Sequence, residues 1–185
     1  MQHPEQTRVV VTTTDDDGAS GYFELVAKAF AEYDESGGPL YAGTRLWGTP
    51  DGTTCVGAGQ NPNEVKDPWF PGPGGTRFLV FSFMPKSQGG GVVPHSAAGD
   101  EARKTEMTDF ASTLDPDRPG MHMSDTVDFV YVVSGEMYLE LDHGEVHVKQ
   151  GDAVVGRGGW HNWRVETEDP CTILSLMLGA ERAEA

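Results

Sequence analysis

Cysteine is scarce in this chain: Cys55 and Cys171 are the only two among 185 residues. Two thiols cannot build a disulfide framework, and neither sits in a metal-type pair spacing. Reduced thiols in a cytoplasmic protein are the expectation. Positive charge is also in short supply. Thirteen Lys and Arg stand against twenty-nine Asp and Glu, a formal charge of −16. That balance argues against nucleic acid and anionic membrane as partners, and an acidic solvated surface accounts for it. No apolar run is long enough to span a bilayer, and the start does not have the basic-then-apolar form of a signal peptide. Internal repeats and low-complexity tracts are missing as well. The length suits one domain with a sizeable core.

What is present concentrates between Gly120 and Trp163. Val127, Phe129, Tyr131 and Val133 alternate with Asp128, Val130 and Val132, the period-two signature of a strand. Ser134-Gly135-Glu136 breaks that run. Met137, Leu139 and Leu141 then alternate with Tyr138, Glu140 and Asp142 as a second strand. His143-Gly144 suits a tight hairpin turn. Val146 and Val148 mark a third strand, Gln150-Gly151-Asp152 turns the chain, and Ala153 to Val155 opens a fourth. Short strands with glycine turns at regular spacing predict an antiparallel sandwich or barrel.

Two histidines frame this array. His122 begins the first strand, and His161 follows the glycine-rich turn Gly156-Arg157-Gly158-Gly159. His122, Ser124 and Asp128 are separated by even numbers of residues, so an uninterrupted strand points them to one face. Val130 and Val132 share that face, which is therefore the interior.

The stretch resembles the cupin superfamily, small jelly-roll barrels with two signature motifs. His122, Asp128 and Gly135 match the first histidine, the glutamate and the closing glycine of motif one. Gly151, Asp152, Gly158 and His161 match motif two. Ser124 stands where the second histidine belongs, Asp128 replaces glutamate, and Arg157 stands where proline is usual. The runs HMSDTVDF and RGGWHNW are similar to a subgroup of single-domain cupins. The resemblance implies an all-β cupin jelly-roll (double-stranded β-helix) barrel with an N-terminal extension and one or two short helices. In that single domain, 1–115 supplies N-terminal strands, loops and a flap helix, and 116–180 the barrel core.

The resemblance also implies a site. His122, Asp128 and His161 take the ligand roles for one divalent transition metal, iron, manganese, nickel or zinc, with Ser124 reaching it only through a water. Two imidazoles and one carboxylate with open positions suit such ions. The alternative is that His122 and Asp128 hydrogen-bond each other without metal. Asp128 and His161 are the catalytic candidates, and Ser124, Tyr131, Arg157, Trp160 and Trp163 the substrate-pocket candidates. One of the two tryptophans walls the pocket while the other packs outside. A metal-dependent enzyme on a small organic metabolite is expected, as dioxygenase, decarboxylase, lyase or isomerase. A metal-free binding or sensor barrel, or a metal-free cyclase or dehydratase, is the alternative. No nucleotide cofactor is expected, and a homodimer is implied by the resemblance.

The remaining segments carry less. RVVVTTT at 8–14 reads as a β-branched strand. Asp15-Asp16-Asp17-Gly18 reads as a solvated turn. Phe23, Val26, Ala27, Phe30 and Tyr33 recur at helical spacing, with a strand at Tyr22 to Val26 as the competing reading. Thr44 to Thr49 is read as a strand, residues 50–75 as a loop, and Arg77 to Met84 as a strand buried on both faces. Asp100 to Leu114 predicts a flap helix with Met107 and Phe110 as plain core. His143 and His147 are read as surface residues, and His95 as a solvated loop residue. Asn162 to Val165 and Thr172 to Met177 give the closing strands.

Overall fold

The computed structural model describes residues 4–33, 39–53, 65, 67–88 and 107–183. Eleven strands carry the architecture: β1 Gln6–Thr14, β2 Ser20–Lys28, β3 Phe30–Tyr33, β4 Pro39–Thr49, β5 Thr76–Phe83, β6 Thr126–Ser134, β7 Glu136–Leu141, β8 Gly144–Lys149, β9 Ala153–Arg157, β10 His161–Arg164 and β11 Cys171–Gly179. Helical structure among the described residues is confined to two 3-10 turns, Lys86–Gln88 and Phe110–Thr113. A six-stranded sheet runs β3-β4-β5-β11-β6-β9, a three-stranded sheet runs β10-β7-β8, and β1 and β2 pair alone. The chain is an all-β jelly-roll barrel. β11 lies between β5 and β6, so strands from before and after residue 115 share one sheet.

Alternation sorts the strands into faces. In β6, Val130 and Val132 are buried while Phe129 and Tyr131 are exposed, as the even-numbered interior face predicts. Met137 and Leu139 of β7, Val148 of β8, Trp163 of β10 and Ile173 and Met177 of β11 close the core against β4 and β5. The β6–β7 connection requires Gly135, which has φ +77°. A Cβ there would lie 2.5 Å from the Pro170 carbonyl oxygen, so the turn tolerates no side chain.

Two expectations need correction, and a third is refined. Residues 22–33 are strand: Phe23, Leu25 and Ala27 turn inward while Tyr22, Glu24 and Val26 stay exposed. Pairing of β2 with β1 from Gln6↔Lys28 to Thr14↔Ser20 satisfies the backbone and overrides the helical spacing. Of the flap helix, residues 100–106 lie outside the described residues, and the remainder holds a single 3-10 turn, Phe110–Thr113. It starts after Asp109, whose φ of +67° is incompatible with a continuing α-helix. β5 is a strand with no exposed residue, but burial is uneven: Arg77, Leu79 and Phe81 are buried on one face, while on the other Ser82 is buried and Phe78 and Val80 only partly so.

Arg77 is the buried charge of that strand. Its guanidinium donates to the carbonyls of Pro68 (3.1 Å), Thr49 (3.1 Å) and Thr76 (2.9 Å), and burial lowers its pKa. These bonds fasten the 67–70 segment, and Trp69 N donates to Thr108 O at 3.1 Å. Trp69, Phe70, Met107 and Phe110 are thereby held against the barrel interior. No helix among the described residues is long and apolar enough to cross a membrane.

Candidate functional site

His122 does not begin β6. It forms its own short antiparallel bridges, to Leu114 and to His161. The bridge to His161 is reciprocal: His122 N donates to His161 O at 2.9 Å, and His161 N donates to His122 O at 3.0 Å. Directly opposed residues of such a pair send their side chains to the same face. The two imidazoles accordingly stand 4.2 Å apart between ring centroids.

Backbone carbonyls fix both rings. His122 Nδ1 lies 3.0 Å from Gly120 O, and His161 Nδ1 lies 2.9 Å from Gly159 O. A carbonyl only accepts, so each Nδ1 carries the proton, and Nε2 of the neutral ring is left as an acceptor. Gly120 itself has φ +82°, and a Cβ there would meet Asn162 Oδ1 at 2.7 Å. Burial, reinforced by His161 and opposed by the Gly120 hydrogen bond, pushes His122 down from 6.5 to about 3. His122 is therefore an uncharged ring at neutral pH.

Asp128 enters the same cavity from β6. Its partner across the β6–β9 ladder is Gly156, which leaves the space above that backbone to the carboxylate. Oδ1 is buried without a hydrogen-bond partner. Burial raises the Asp128 pKa, while the Thr126 hydroxyl and His161 pull against that rise.

The cavity they share measures about 390 Å³, within the range of ligand pockets. Its lining is mainly carbon, with Leu79, Phe81, Val130, Leu139, Ile173 and Met177 deep in the barrel. Of the five pocket candidates, Arg157 and Trp163 line it. The other three pocket candidates do not. Tyr131 is 49% exposed on the outer face of β6, because its position is odd where the interior is even. Ser124 is buried, and its hydroxyl bonds the Thr126 hydroxyl at 2.7 Å. Trp160 packs under the Arg118 guanidinium, 5.3 Å from the ring centre. Trp163 is thus the tryptophan that walls the pocket.

Sequence reasoning missed Trp69, Phe70, Phe81 and Phe83, and read Met107 and Phe110 as plain core; all six line the cavity. Every second residue of RFLVFSFM was the available signal for Leu79, Phe81 and Phe83. Trp69 and Phe70, inside a proline- and glycine-rich loop, carried none. His147 is a surface residue, 3.2 Å from Glu136 and stacked on Tyr138. Cys171 is a buried free thiol, pushed up to about 12 by burial and secondarily by Glu136. Cys55 and His95 lie outside the described residues.

Among the described residues, no three His, Cys, Asp or Glu side chains assemble as a group able to hold a metal ion. The paired imidazoles, with Nδ1 committed and Nε2 open, fit the nitrogen half of such a site. Asp128 has the right chemistry, lines the same cavity and feels the charge of His161, but does not complete a three-ligand group with the pair.

Residues 112–177 match the Cupin_2 family model, described as a cupin domain. The matched stretch runs from the 3-10 turn at Phe110–Thr113 into β11 and is similar to a cupin domain. Over 52 residues the chain is 44% identical to phomopsin biosynthesis cluster protein C' of Diaporthe leptostromiformis, covering 25% of this chain and 28% of that protein. It is 47% identical over 47 residues to oryzines biosynthesis cluster protein J of Aspergillus oryzae, covering 25% and 26%. The match thus spans little more than a quarter of these relatives' length. A solved cupin-2 domain from Rhodospirillum rubrum is 15% identical with a TM-score of 0.45, covering 85% of this chain and 72% of that chain.

Proposed function

We propose that this chain is an enzyme acting on a small, largely apolar organic molecule inside the barrel, with His122, His161 and Asp128 as its working groups. The observation that carries this reading is the imidazole pair, 4.2 Å between centroids in a cavity walled mainly by carbon. Two adjacent acceptors in such surroundings call for a shared donor or cation. A divalent transition metal, iron, manganese, nickel or zinc, is the cation that neutral imidazoles favour. Nε2 of His122 and His161 would hold it, with Asp128 as the carboxylate. Bound there, it supplies the Lewis-acid or one-electron chemistry used by dioxygenases, decarboxylases, lyases and isomerases.

The chain's own groups do the rest. The Gly120 and Gly159 carbonyls orient the rings, and an uncharged His122 presents its lone pair without first losing a proton. Phe110 and Trp163 flank the pair, 5.2 Å from His122 and 6.2 Å from His161 between ring centroids. The cluster relatives are named for biosynthesis, which supports a role in making a small molecule. The apolar outer residues Phe129, Tyr131, Val155, Leu176 and Leu178 support a homodimer, which light scattering on the native chain tests.

The test is elemental analysis after loading with each of the four metals and desalting. The reading expects one ion per chain, lost in both His122→Ala and His161→Ala, with a smaller loss in Asp128→Ala. No retained ion in any preparation removes the metal from the reading.

A second reading is a metal-free binding barrel, cyclase or dehydratase, and the lack of a three-ligand group among the described residues favours it. In that case His161 Nε2 accepts a substrate proton while the buried Asp128 carboxyl holds another. Activity or ligand binding that survives exhaustive chelation distinguishes it.

A further inference from the structure

The rings around the cavity form a closed circuit. Trp69 meets Phe81 edge-on at 6.3 Å, Phe81 meets Phe83 at 5.0 Å, and Phe83 meets Trp163 at 6.5 Å. Trp163 meets His161 edge-on at 6.2 Å, His161 meets His122 at 4.2 Å, His122 meets Phe110 at 5.2 Å, and Phe110 stacks on Phe70 at 5.9 Å. Phe70 is the chain neighbour of Trp69, so the circuit closes through one peptide bond. All of these side chains line the cavity. The belt draws on the 67–70 segment, β5, the 3-10 turn at Phe110, the His122 bridge and β10, five separate parts of the chain.

From this belt we infer that the cavity takes an uncharged, flat hydroxyarene of bicyclic or tricyclic size, its hydroxyl groups directed at the imidazole pair and at Asp128. The inference rests on the reading of this cavity as the working site and names the class of molecule it holds.

Three observations select that class. Rings arranged as edges and faces around one space complement another ring, through offset stacking and edge contacts that a flexible alkyl chain cannot exploit. Three acceptors face the cavity: Nε2 of each histidine, with Nδ1 already committed, and the buried Oδ1 of Asp128. A ligand satisfies them by bringing hydroxyl hydrogens rather than oxygens alone. Among the described residues, the lining holds a single cation, Arg157, and it is exposed. An anionic ligand would enter a chain of charge −16 without a buried counter-ion.

Calorimetric titration of the chelated full chain with four probes tests this: 1,3-dihydroxynaphthalene, its dimethyl ether, 1-naphthylmethylammonium and 1-decanol. The dihydroxyarene should bind tightest. Its dimethyl ether should bind about tenfold more weakly or worse, the change expected for lost hydrogen bonds. Phe110→Leu keeps an apolar side chain while removing one ring. It should weaken dihydroxyarene binding several-fold and decanol binding far less, with a native circular-dichroism spectrum as the folding control. Equal binding of the dimethyl ether, preference for the ammonium or for decanol, or no arene binding at all overturns the inference. Failure here is separable from failure of the enzyme reading. A hydroxyarene that binds but is never turned over leaves the ligand class standing. A metal-loaded chain that turns over an aliphatic substrate and prefers decanol overturns the class alone.

Discussion

The β1–β2 hairpin and the β6–β9 array obey the same sequence rule and end in different environments. Both alternate with period two. In β1, QTRVVVTTT, no residue is fully buried, and Val10 remains 49% exposed. In β6, TVDFVYVVS, Val132 is 0% exposed, as is Met137 of β7. The hairpin is held mainly by its own ladder and by surface contacts such as the Arg8–Glu24 pair. Exposed pairs of that kind contribute little. In the array, β6 and β9 belong to the six-stranded sheet and β7 and β8 to the three-stranded one, and their inward side chains share one core. Alternation makes a strand, while a facing layer turns one side of it into a core.

Substitutions on the two sides of this contrast should differ sharply. Met137→Ala deletes a buried side chain from the centre of the barrel and should destabilise it by about 2–5 kcal/mol in denaturant unfolding. A value under about 1 kcal/mol would mean the barrel core is looser than its burial implies.

Acid should act on the barrel through His122. Its folded pKa of about 3 lies below its ordinary 6.5, so between those values the unfolded chain binds more protons than the folded one. Its contribution is complete above about pH 6.5 and is lost as pH falls toward 3, reaching about 3 kcal/mol by pH 4. Asp128 has the opposite sign, because its pKa is raised on folding. Stability measured from pH 7 to pH 4 should show a steeper fall in the native chain than in His122→Gln. Parallel curves would show that burial does not hold His122 neutral.

Gly135→Ala should destabilise by about 1–3 kcal/mol, since its positive φ and the nearby Pro170 carbonyl both oppose a methyl group. In the hairpin, Val10→Ala should change stability by less than about 0.5 kcal/mol. Amide exchange in β1 and β2 should also be faster than in β6 and β11. Equal protection would place the hairpin within the barrel's cooperative unit.

The same contrast explains what was legible in the sequence. The array from Val127 to Val155 could be read strand by strand because glycine turns punctuate a clean alternation. The convergence of His122 and His161 came from motif spacing, and Asp128 from its even separation from Val130 and Val132. Residues 22–33 misled because Phe23, Val26, Ala27 and Phe30 fit a helical repeat, and only pairing with β1 decides otherwise. Trp69 and Phe70 were invisible as pocket residues because Arg77, distant in the loop's own logic, fastens them inward. Tyr131 was placed on the wrong face although its odd position already pointed outward. Asp128 illustrates a further limit: period two fixes which cavity a carboxylate enters, not how near it comes to two rings held by another bridge.

The account depends most on the Nδ1 atoms of His122 and His161 both donating to backbone carbonyls, which leaves both Nε2 atoms open to one cavity. Nitrogen NMR of histidine-labelled protein at neutral pH, assigned with His122→Ala and His161→Ala, reads this directly. The expected result is two Nδ1–H tautomers whose Nε2 signals shift together as zinc is added to one equivalent. An Nε2–H tautomer or a protonated ring at either position, or a zinc response at only one of them, would contradict it.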